Sequence, residues 1–208
     1  MLHAVFSRPP AERPGTHLLI MLHGYGSTEQ RMVELFDVLP ENTTGAALRG
    51  PFAVGGDHGW FLLDYFLAHD FAAVVAAVQQ VYDWQDAHSA QHESVSVLGY
   101  SQGMAMATTM MRLRPGRYAA GVGLNGFVLH SELLALTDDV PADPALRVPF
   151  FWGRDPEDPV INQDAAEHTA AWLEDSTRLT SRRYPGMGHG ISAEERRDAA
   201  AFLRHYLP

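Results

Sequence analysis

The stretch Ser94-Val-Ser-Val-Leu-Gly-Tyr-Ser-Gln-Gly103 decides the fold. Its first seven residues are a largely apolar run, which predicts a buried strand, and the Met- and Ala-rich segment that follows predicts a helix. Gly99 and Gly103 stand two residues on either side of Ser101. Glycines at those positions leave room for a sharp turn from strand into helix. The pattern therefore predicts a strand, a tight turn that carries Ser101, and a helix.

Similar patterns repeat along the rest of the chain. Strands are predicted over residues 17–23, 44–49, 94–100, 118–124, 148–152 and 178–184. Helices are predicted over residues 29–39, 70–88 and 162–175, after the Ser101 turn to about residue 113, and from residue 192. Alternating strands and helices indicate the α/β class, with a mostly parallel central sheet and helices on both faces. In this context the G-x-S-x-G motif is a nucleophile elbow, and residues 1–208 are predicted to form a single α/β-hydrolase domain.

Composition narrows the classes of function. The 208 residues are 46% hydrophobic and 19% charged, as in globular proteins, and the formal net charge of −10 disfavours a nucleic-acid partner. The absence of cysteine excludes a thiol nucleophile and thiolate metal sites. Neither a signal peptide nor an apolar stretch of membrane-spanning length is visible, so a cytoplasmic protein without a membrane span is expected.

A serine hydroxyl needs a general base to remove its proton and an acid to orient that base. In the α/β-hydrolase order the acid and the histidine follow the serine along the chain. His189 lies in a glycine-containing loop between a predicted strand and a predicted helix, whereas His168 and His205 fall inside predicted helices and His130 lies in a long irregular connection. His189 is therefore predicted to be the base for Ser101.

The acid is expected in the loop that follows the strand over residues 148–152. Asp155, Glu157 and Asp158 all lie there, and the residues alone leave the choice among them open. The reaction also needs backbone N–H donors for a developing oxyanion. The amide of Gln102, directly after the nucleophile, and that of Tyr25, in the loop after the first long strand, are predicted to supply them.

Four landmarks in this order resemble the small carboxylesterase/phospholipase family that includes the acyl-protein thioesterases. They are Leu22-His23-Gly24-Tyr25-Gly26, Gly59-Trp60-Phe61, Gly99-Tyr100-Ser101-Gln102-Gly103 and Gly188-His189. The resemblance covers most of the chain and implies cleavage of a carboxylic ester or thioester. In that family the acid directly precedes a Pro-x-[Val/Ile] stretch, which points to Asp158. The spacing from Gly153 is longer than usual, so Asp155 stays open as the alternative.

Two irregular loops flank the predicted site. The predicted walls of an acyl pocket are Trp60, Phe61, Phe127 and Leu129. Met104 and Asn125 stand where the family usually has a glycine and a small polar residue, so the length of the acyl chain cannot be transferred from the resemblance. The oligomeric state is equally open.

No metal or cofactor is predicted. Residues 121–126 match G-x-G-x-x-G, but the first glycines lie inside a predicted strand, which is the wrong context for a dinucleotide site. The predicted partner is a small-molecule ester or thioester. The alternatives are an amidase or lactonase of the same mechanism and a catalytically silent binding protein on the same fold. Substrate panels and labelling of Ser101 separate these possibilities.

Overall fold

A seven-stranded sheet forms the centre of the protein, in a computed structural model that describes residues 1–63 and 71–207. Its strands are β1 (Ala4–Phe6), β2 (His17–Leu22), β3 (Thr43–Leu48), β6 (Ser94–Tyr100), β7 (Gly121–Leu124), β8 (Pro149–Arg154) and β9 (Arg178–Arg183). The order across the sheet is β1-β3-β2-β6-β7-β8-β9. Strand β1 pairs antiparallel with β3, and the other neighbours pair in parallel. The predicted mostly parallel α/β sheet is confirmed.

Helices cover both faces of this sheet. They are α1 (Gln30–Val33), α2 (Phe71–His88), α3 (Gln102–Leu113), α4 (Glu132–Ala135), α5 (Gln163–Ser176) and α6 (Ala193–Tyr206). One apolar cluster joins α2, α3 and α5 to the sheet, and a second joins α1 and α6 to the opposite face. A parallel strand buried on both faces needs a continuous apolar run, which is why β2 has five fully buried residues in succession.

Some elements differ from the predictions. The predicted helix over residues 29–39 is split into α1 and a 3₁₀ turn at Phe36–Val38. The split begins where the Leu35 amide bonds to the Met32 carbonyl oxygen three residues back, which tightens the last turn of α1. The irregular loop predicted over residues 50–69 contains a hairpin of β4 (Phe52–Val54) and β5 (Asp57–Gly59). Its residues 64–69, and the predicted helix start at Asp70, lie outside the described residues.

Several loops meet at the carboxyl ends of the parallel strands. Strand β2 leads into the His23 loop, β6 into Ser101, β7 into Asn125, β8 into Asp158 and β9 into the His189 loop. Neighbouring parallel strands end on the same edge of a sheet, so residues far apart in sequence become neighbours there. Within residues 1–63 and 71–207, no helix combines the length and hydropathy needed to cross a bilayer.

Candidate active site

Ser101 lies at the turn between β6 and α3 with φ 53° and ψ −119°, a backbone conformation that residues other than glycine rarely adopt. The two flanking glycines make this turn possible. A Cβ atom on Gly99 would overlap the backbone of Gly103, and one on Gly103 would overlap the Leu22 carbonyl oxygen. The strained turn places Ser101 as the N-cap residue of α3, where the helix dipole favours negative charge.

The structure brings Ser101 together with two residues far along the chain. The Nε2 atom of His189 lies 3.0 Å from the Ser101 hydroxyl oxygen, and its Nδ1 atom lies 2.7 Å from an Asp158 carboxylate oxygen. An ionised carboxylate only accepts hydrogen bonds, so Nδ1 donates to Asp158 and Nε2 is left to accept the serine proton. The three side chains therefore form one directed series of hydrogen bonds.

Asp158 is held in place by its own loop. Its other carboxylate oxygen accepts backbone hydrogen bonds from Val160 at 2.7 Å and Ile161 at 3.2 Å. The side chain is only 5% exposed, and that of His189 is 18% exposed. The hydrogen bond between Asp158 and His189 is thus largely shielded from water, while the imidazole remains accessible at its edge.

Asp155, the alternative acid, faces a different partner. Its carboxylate accepts hydrogen bonds from the amides of Glu157 at 2.9 Å and Gly188 at 2.6 Å. These backbone hydrogen bonds, Glu157 first, keep the pKa of Asp155 below its ordinary value, so the group is ionised at neutral pH. Of the two aspartates, Asp158 contacts the imidazole of His189, and Asp155 contacts the backbone of the loop that carries it.

The His23-Gly24-Tyr25-Gly26 loop passes next to the nucleophile. A Cβ atom on Gly24 would lie 3.2 Å from the Ser101 Cβ atom, so the absence of a side chain there permits the close approach. His23 bonds to backbone through both ring nitrogens, to the Gly24 carbonyl oxygen at 2.7 Å and the Gly50 amide at 2.9 Å. Burial lowers the pKa of His23, so it is a neutral ring that ties this loop to the end of β3.

Gln102 has a second connection that the sequence analysis did not predict. Its side-chain oxygen accepts a hydrogen bond from the Trp60 amide at 2.9 Å, and its side-chain nitrogen donates one to the Phe61 carbonyl oxygen at 2.7 Å. The indole nitrogen of Trp60 in turn donates to the His23 carbonyl oxygen at 2.8 Å. The residue after the nucleophile therefore fixes Trp60 and Phe61, two of the residues that were predicted to wall the pocket.

The four residues predicted to line an acyl pocket, Trp60, Phe61, Phe127 and Leu129, are all buried in the apolar cluster that contains α3. Met104 belongs to the same cluster and fills the space above Gly123 and Gly126, because a Cβ atom on either glycine would overlap its side chain. The unusual methionine is therefore a core residue. In the described part of the chain, no group of three or more His, Cys, Asp or Glu side chains is arranged to hold a metal ion.

A model of the phospholipase/carboxylesterase family matches residues 7–207. The chain belongs to this family. It is 25% identical over 142 residues to the carboxylesterase SOBER1 of Arabidopsis thaliana, an alignment that covers 66% of the chain and 61% of the relative. It is also 30% identical over 118 residues to acyl-protein thioesterase 1 of Gibberella zeae, covering 56% of the chain and 49% of that protein.

The chain thus spans about half to three-fifths of the length of these two relatives. Among solved structures, that of esterase PE8 superposes with a TM-score of 0.80 at 24% identity and covers 99% of both chains. At that level of identity the likeness shows the shared fold. The predicted α/β-hydrolase fold is confirmed, as is the predicted membership of the carboxylesterase/phospholipase family.

Proposed function

We propose that this protein is a serine hydrolase that cleaves carboxylic esters or thioesters through an acyl-enzyme on Ser101. The observation that carries the proposal is the directed series of hydrogen bonds from Ser101 through His189 to Asp158 at a strained elbow. Family membership, and relatives that are named carboxylesterase and acyl-protein thioesterase, support the same class of substrate.

The first chemical step forms the acyl-enzyme. The Ser101 hydroxyl oxygen attacks the substrate carbonyl carbon while Nε2 of His189 takes the hydroxyl proton. Asp158 holds the imidazole in the tautomer that has Nε2 free and stabilises the imidazolium that results. The tetrahedral intermediate then expels the alcohol or thiol, which receives the proton from His189. The second step repeats this route with water as the nucleophile and releases a carboxylic acid and free Ser101.

The negative oxygen of the tetrahedral intermediate needs preorganised donors. The backbone amides of Gln102 and Tyr25 are proposed for this role. Gln102 is the first residue of α3, and the first amides of a helix have no partner within the helix, so its N–H is free of the helix ladder. Its side-chain bonds to the Trp60 and Phe61 backbone keep that amide in a fixed position before substrate arrives.

The acyl group is proposed to lie against Trp60, Phe61, Phe127 and Leu129. Support comes from the direct link between the Gln102 side chain and the backbone of the first two residues. Apolar side chains beside the reacting carbonyl would exclude water and bind the acyl chain of a small-molecule substrate. A cytoplasmic location stays a prediction of the sequence.

The test is hydrolysis of p-nitrophenyl acetate, butyrate, octanoate and dodecanoate by the native protein and by Ser101→Ala. We expect activity that peaks at one chain length, and a fall of at least about a thousandfold in the variant, as when a triad nucleophile is lost. A thioester and an amide of the preferred acyl group extend the panel. Labelling with a fluorophosphonate is expected to modify the native protein and to spare the variant.

Equal hydrolysis by native protein and Ser101→Ala would contradict the proposal. Cleavage of amides in preference to all esters would move the assignment to the amidase alternative. Failure of the native protein to hydrolyse any substrate or to react with the fluorophosphonate would favour the silent binding protein. A flat response to chain length would contradict the proposed acyl wall while leaving the chemistry at Ser101 intact.

A further inference from the structure

The loop that carries His189 has no regular structure of its own. Between β9 and α6 the chain forms neither helix nor strand, and Gly186 and Gly188 have φ values of 79° and 66°. A segment of this kind is conformationally permissive, and its shape must be fixed by contacts from outside. The imidazole nevertheless has to meet two partners, Ser101 and Asp158, at hydrogen-bond distance.

Three consecutive residues of the loop are each held through a backbone atom. The Gly188 amide donates to the Asp155 carboxylate at 2.6 Å, and the His189 carbonyl oxygen accepts from the Tyr100 hydroxyl at 2.6 Å. The Gly190 carbonyl oxygen accepts from the side-chain nitrogen of Asn125. The loop is therefore held on both sides of His189 and at His189 itself.

The three holding side chains come from neighbouring strands. Tyr100 is the last residue of β6, Asn125 directly follows β7, and Asp155 directly follows β8. Asn125 is also bonded to Asp155, because its side-chain oxygen accepts the Asp155 amide at 3.0 Å. These bonds close a ring that runs from Gly190 through Asn125 and Asp155 to Gly188.

The chemistry of this ring specifies an amide at position 125. One end of the side chain must accept from an N–H group and the other must donate to a carbonyl oxygen, and among short side chains the Asn amide offers both at this separation. Asn125 is 1% exposed and has φ 40°, a conformation that asparagine tolerates better than most residues. A buried side chain with both ends satisfied is also rigid.

The other two contacts have matching chemistry. Burial raises the pKa of Tyr100, so its hydroxyl stays protonated and donates to the His189 carbonyl oxygen. The rings of Tyr100 and His189 pack with their centroids 5.4 Å apart. The lowered pKa of Asp155 keeps its carboxylate as an acceptor for the Gly188 amide.

We propose that Asn125, with Asp155 and Tyr100, is a positioning residue that sets the imidazole of His189 against Ser101. This inference rests on the proposed function, since it assigns the base to His189. The ring of hydrogen bonds depends on Asn125, because this one side chain contacts both the loop and the Asp155 backbone. Its removal loosens His189 without touching the substrate or the nucleophile.

The test is a double-mutant cycle between Asn125→Gly and His189→Ala, measured as kcat and KM for the preferred p-nitrophenyl ester. Glycine removes both side-chain bonds and accepts φ 40° without strain. We expect Asn125→Gly to lower kcat about 10- to 100-fold with KM changed by less than about threefold, as when a catalytic group is displaced by about 1 Å. In the His189→Ala background the same change is expected to lower kcat by less than about twofold.

Asn42→Gly is the matched control, because Asn42 is exposed and directly precedes β3, at the amino-terminal end of the parallel strands and away from Ser101. It is expected to leave kcat unchanged. An equal loss of kcat from Asn125→Gly in both backgrounds, or no loss in the native background, overturns the positioning role. Native activity that does not depend on His189 would instead refute the proposed function, so the two failures are distinguishable.

Tyr100→Phe provides a second variant if Asn125→Gly does not fold. It removes one hydroxyl and retains the ring that packs on His189. A decrease in kcat that is lost in the His189→Ala background supports the inference. A decrease that persists there, or unchanged kcat, contradicts it.

Discussion

The Ser101 elbow and the His189 loop bring two reacting groups to within 3.0 Å of each other by different means. The elbow is fixed by its own backbone, through a strained serine and two glycines that permit close packing of β2, β6 and α3. The His189 loop is fixed by side chains that belong to other elements. A substitution in the elbow should therefore disrupt folding and activity together, whereas a substitution around the loop should lower activity by degrees.

The largest expected effect comes from Gly103→Ala in the elbow. The added Cβ would overlap the Leu22 carbonyl oxygen, which is backbone of a central strand and cannot move aside. Overpacking a core site typically costs about 1–3 kcal/mol, and we expect a loss in the free energy of unfolding at the upper end of that range, together with loss of Ser101 labelling. Urea unfolding followed by circular dichroism measures the free energy of unfolding, and reaction with a fluorophosphonate measures the labelling of Ser101.

Gly56→Ala is the control for this substitution, because nothing lies within 4 Å of its Cβ position. It is expected to change stability by less than about 1 kcal/mol. Native-like stability of Gly103→Ala would show that the elbow is less tightly packed than the structure indicates.

The next largest effect separates the two aspartates. Asp158→Asn is expected to lower kcat about 10⁴-fold, because an amide at this position favours the wrong tautomer of His189. Asp155→Asn loses the charge and keeps only one of the two oxygens that accept the Glu157 and Gly188 amides, which loosens the His189 loop without removing the acid. A decrease in kcat of roughly tenfold is expected there. Steady-state kinetics on the preferred ester compares the two variants directly.

The order of the two effects is decisive. If Asp155→Asn lowered kcat more than Asp158→Asn, Asp155 would be the acid of the reaction and the contact between Asp158 and His189 would be incidental. Equal losses would show that the loop and the acid contribute through one rigid unit.

The last effect is confined to the pH dependence of stability and concerns Glu195, in the first turn of the helix that follows the His189 loop. Its side chain is fully buried, and neither carboxyl oxygen has a hydrogen-bond partner within the described part of the chain. Burial raises the pKa of Glu195 from 4.5 to about 8. The folded protein therefore retains a proton that the unfolded chain releases, and the free energy of unfolding falls as the pH rises from about 4.5 through about 8.

Glu195→Gln cannot ionise, so it should remove this part of the pH dependence. We expect the variant to match the native protein near pH 4 and to exceed its stability at pH 9, by up to about 5 kcal/mol. Denaturant unfolding across this pH range checks it, with the exposed neighbour variant Glu194→Gln as control. A constant difference between native and Glu195→Gln at all pH values would show that Glu195 titrates normally.

Much of this architecture could be predicted from local sequence. The strand β6 has the predicted bounds, and α3 ends at Leu113 as predicted, because an apolar run followed by glycines and helix formers specifies both. Asn162 and Ser192 both accept an amide of the first helical turn, the role that Asn and Ser favour at an N-cap. The sequence Ser192-x-x-Glu195 is typical of a capping box, in which each side chain bonds the backbone of the other residue. Only the bond from the Glu195 amide to the Ser192 hydroxyl forms here, since the Glu195 carboxyl is buried against Gly153.

The remaining features depend on residues that only the folded chain brings together. The residues alone leave Asp155, Glu157 and Asp158 open as the acid, and only the family resemblance points to Asp158. The contact between Asp158 and His189 depends on the loop turn that Asp158 makes with Val160 and Ile161. Tyr100 occupies a variable position of the G-x-S-x-G motif, so nothing in the motif indicates its bond to His189. The departure of Asn125 from the family pattern is the one sequence signal of a particular role for this residue. Its hydrogen-bond partners lie 30 and 65 positions further along the chain, so the sequence does not indicate them.

The hydrogen bonds that hold the His189 loop are made to its backbone atoms, and every amino acid except proline supplies the same backbone atoms. Apart from His189 and the two glycines with positive φ, Gly186 and Gly188, residues of the loop can therefore be exchanged during evolution, or shuffled in a library, without deleting these bonds. The strand ends that hold it have no such freedom. For an engineer, the tolerant place to alter the surroundings of the imidazole is the loop, and the intolerant places are three positions that lie outside it.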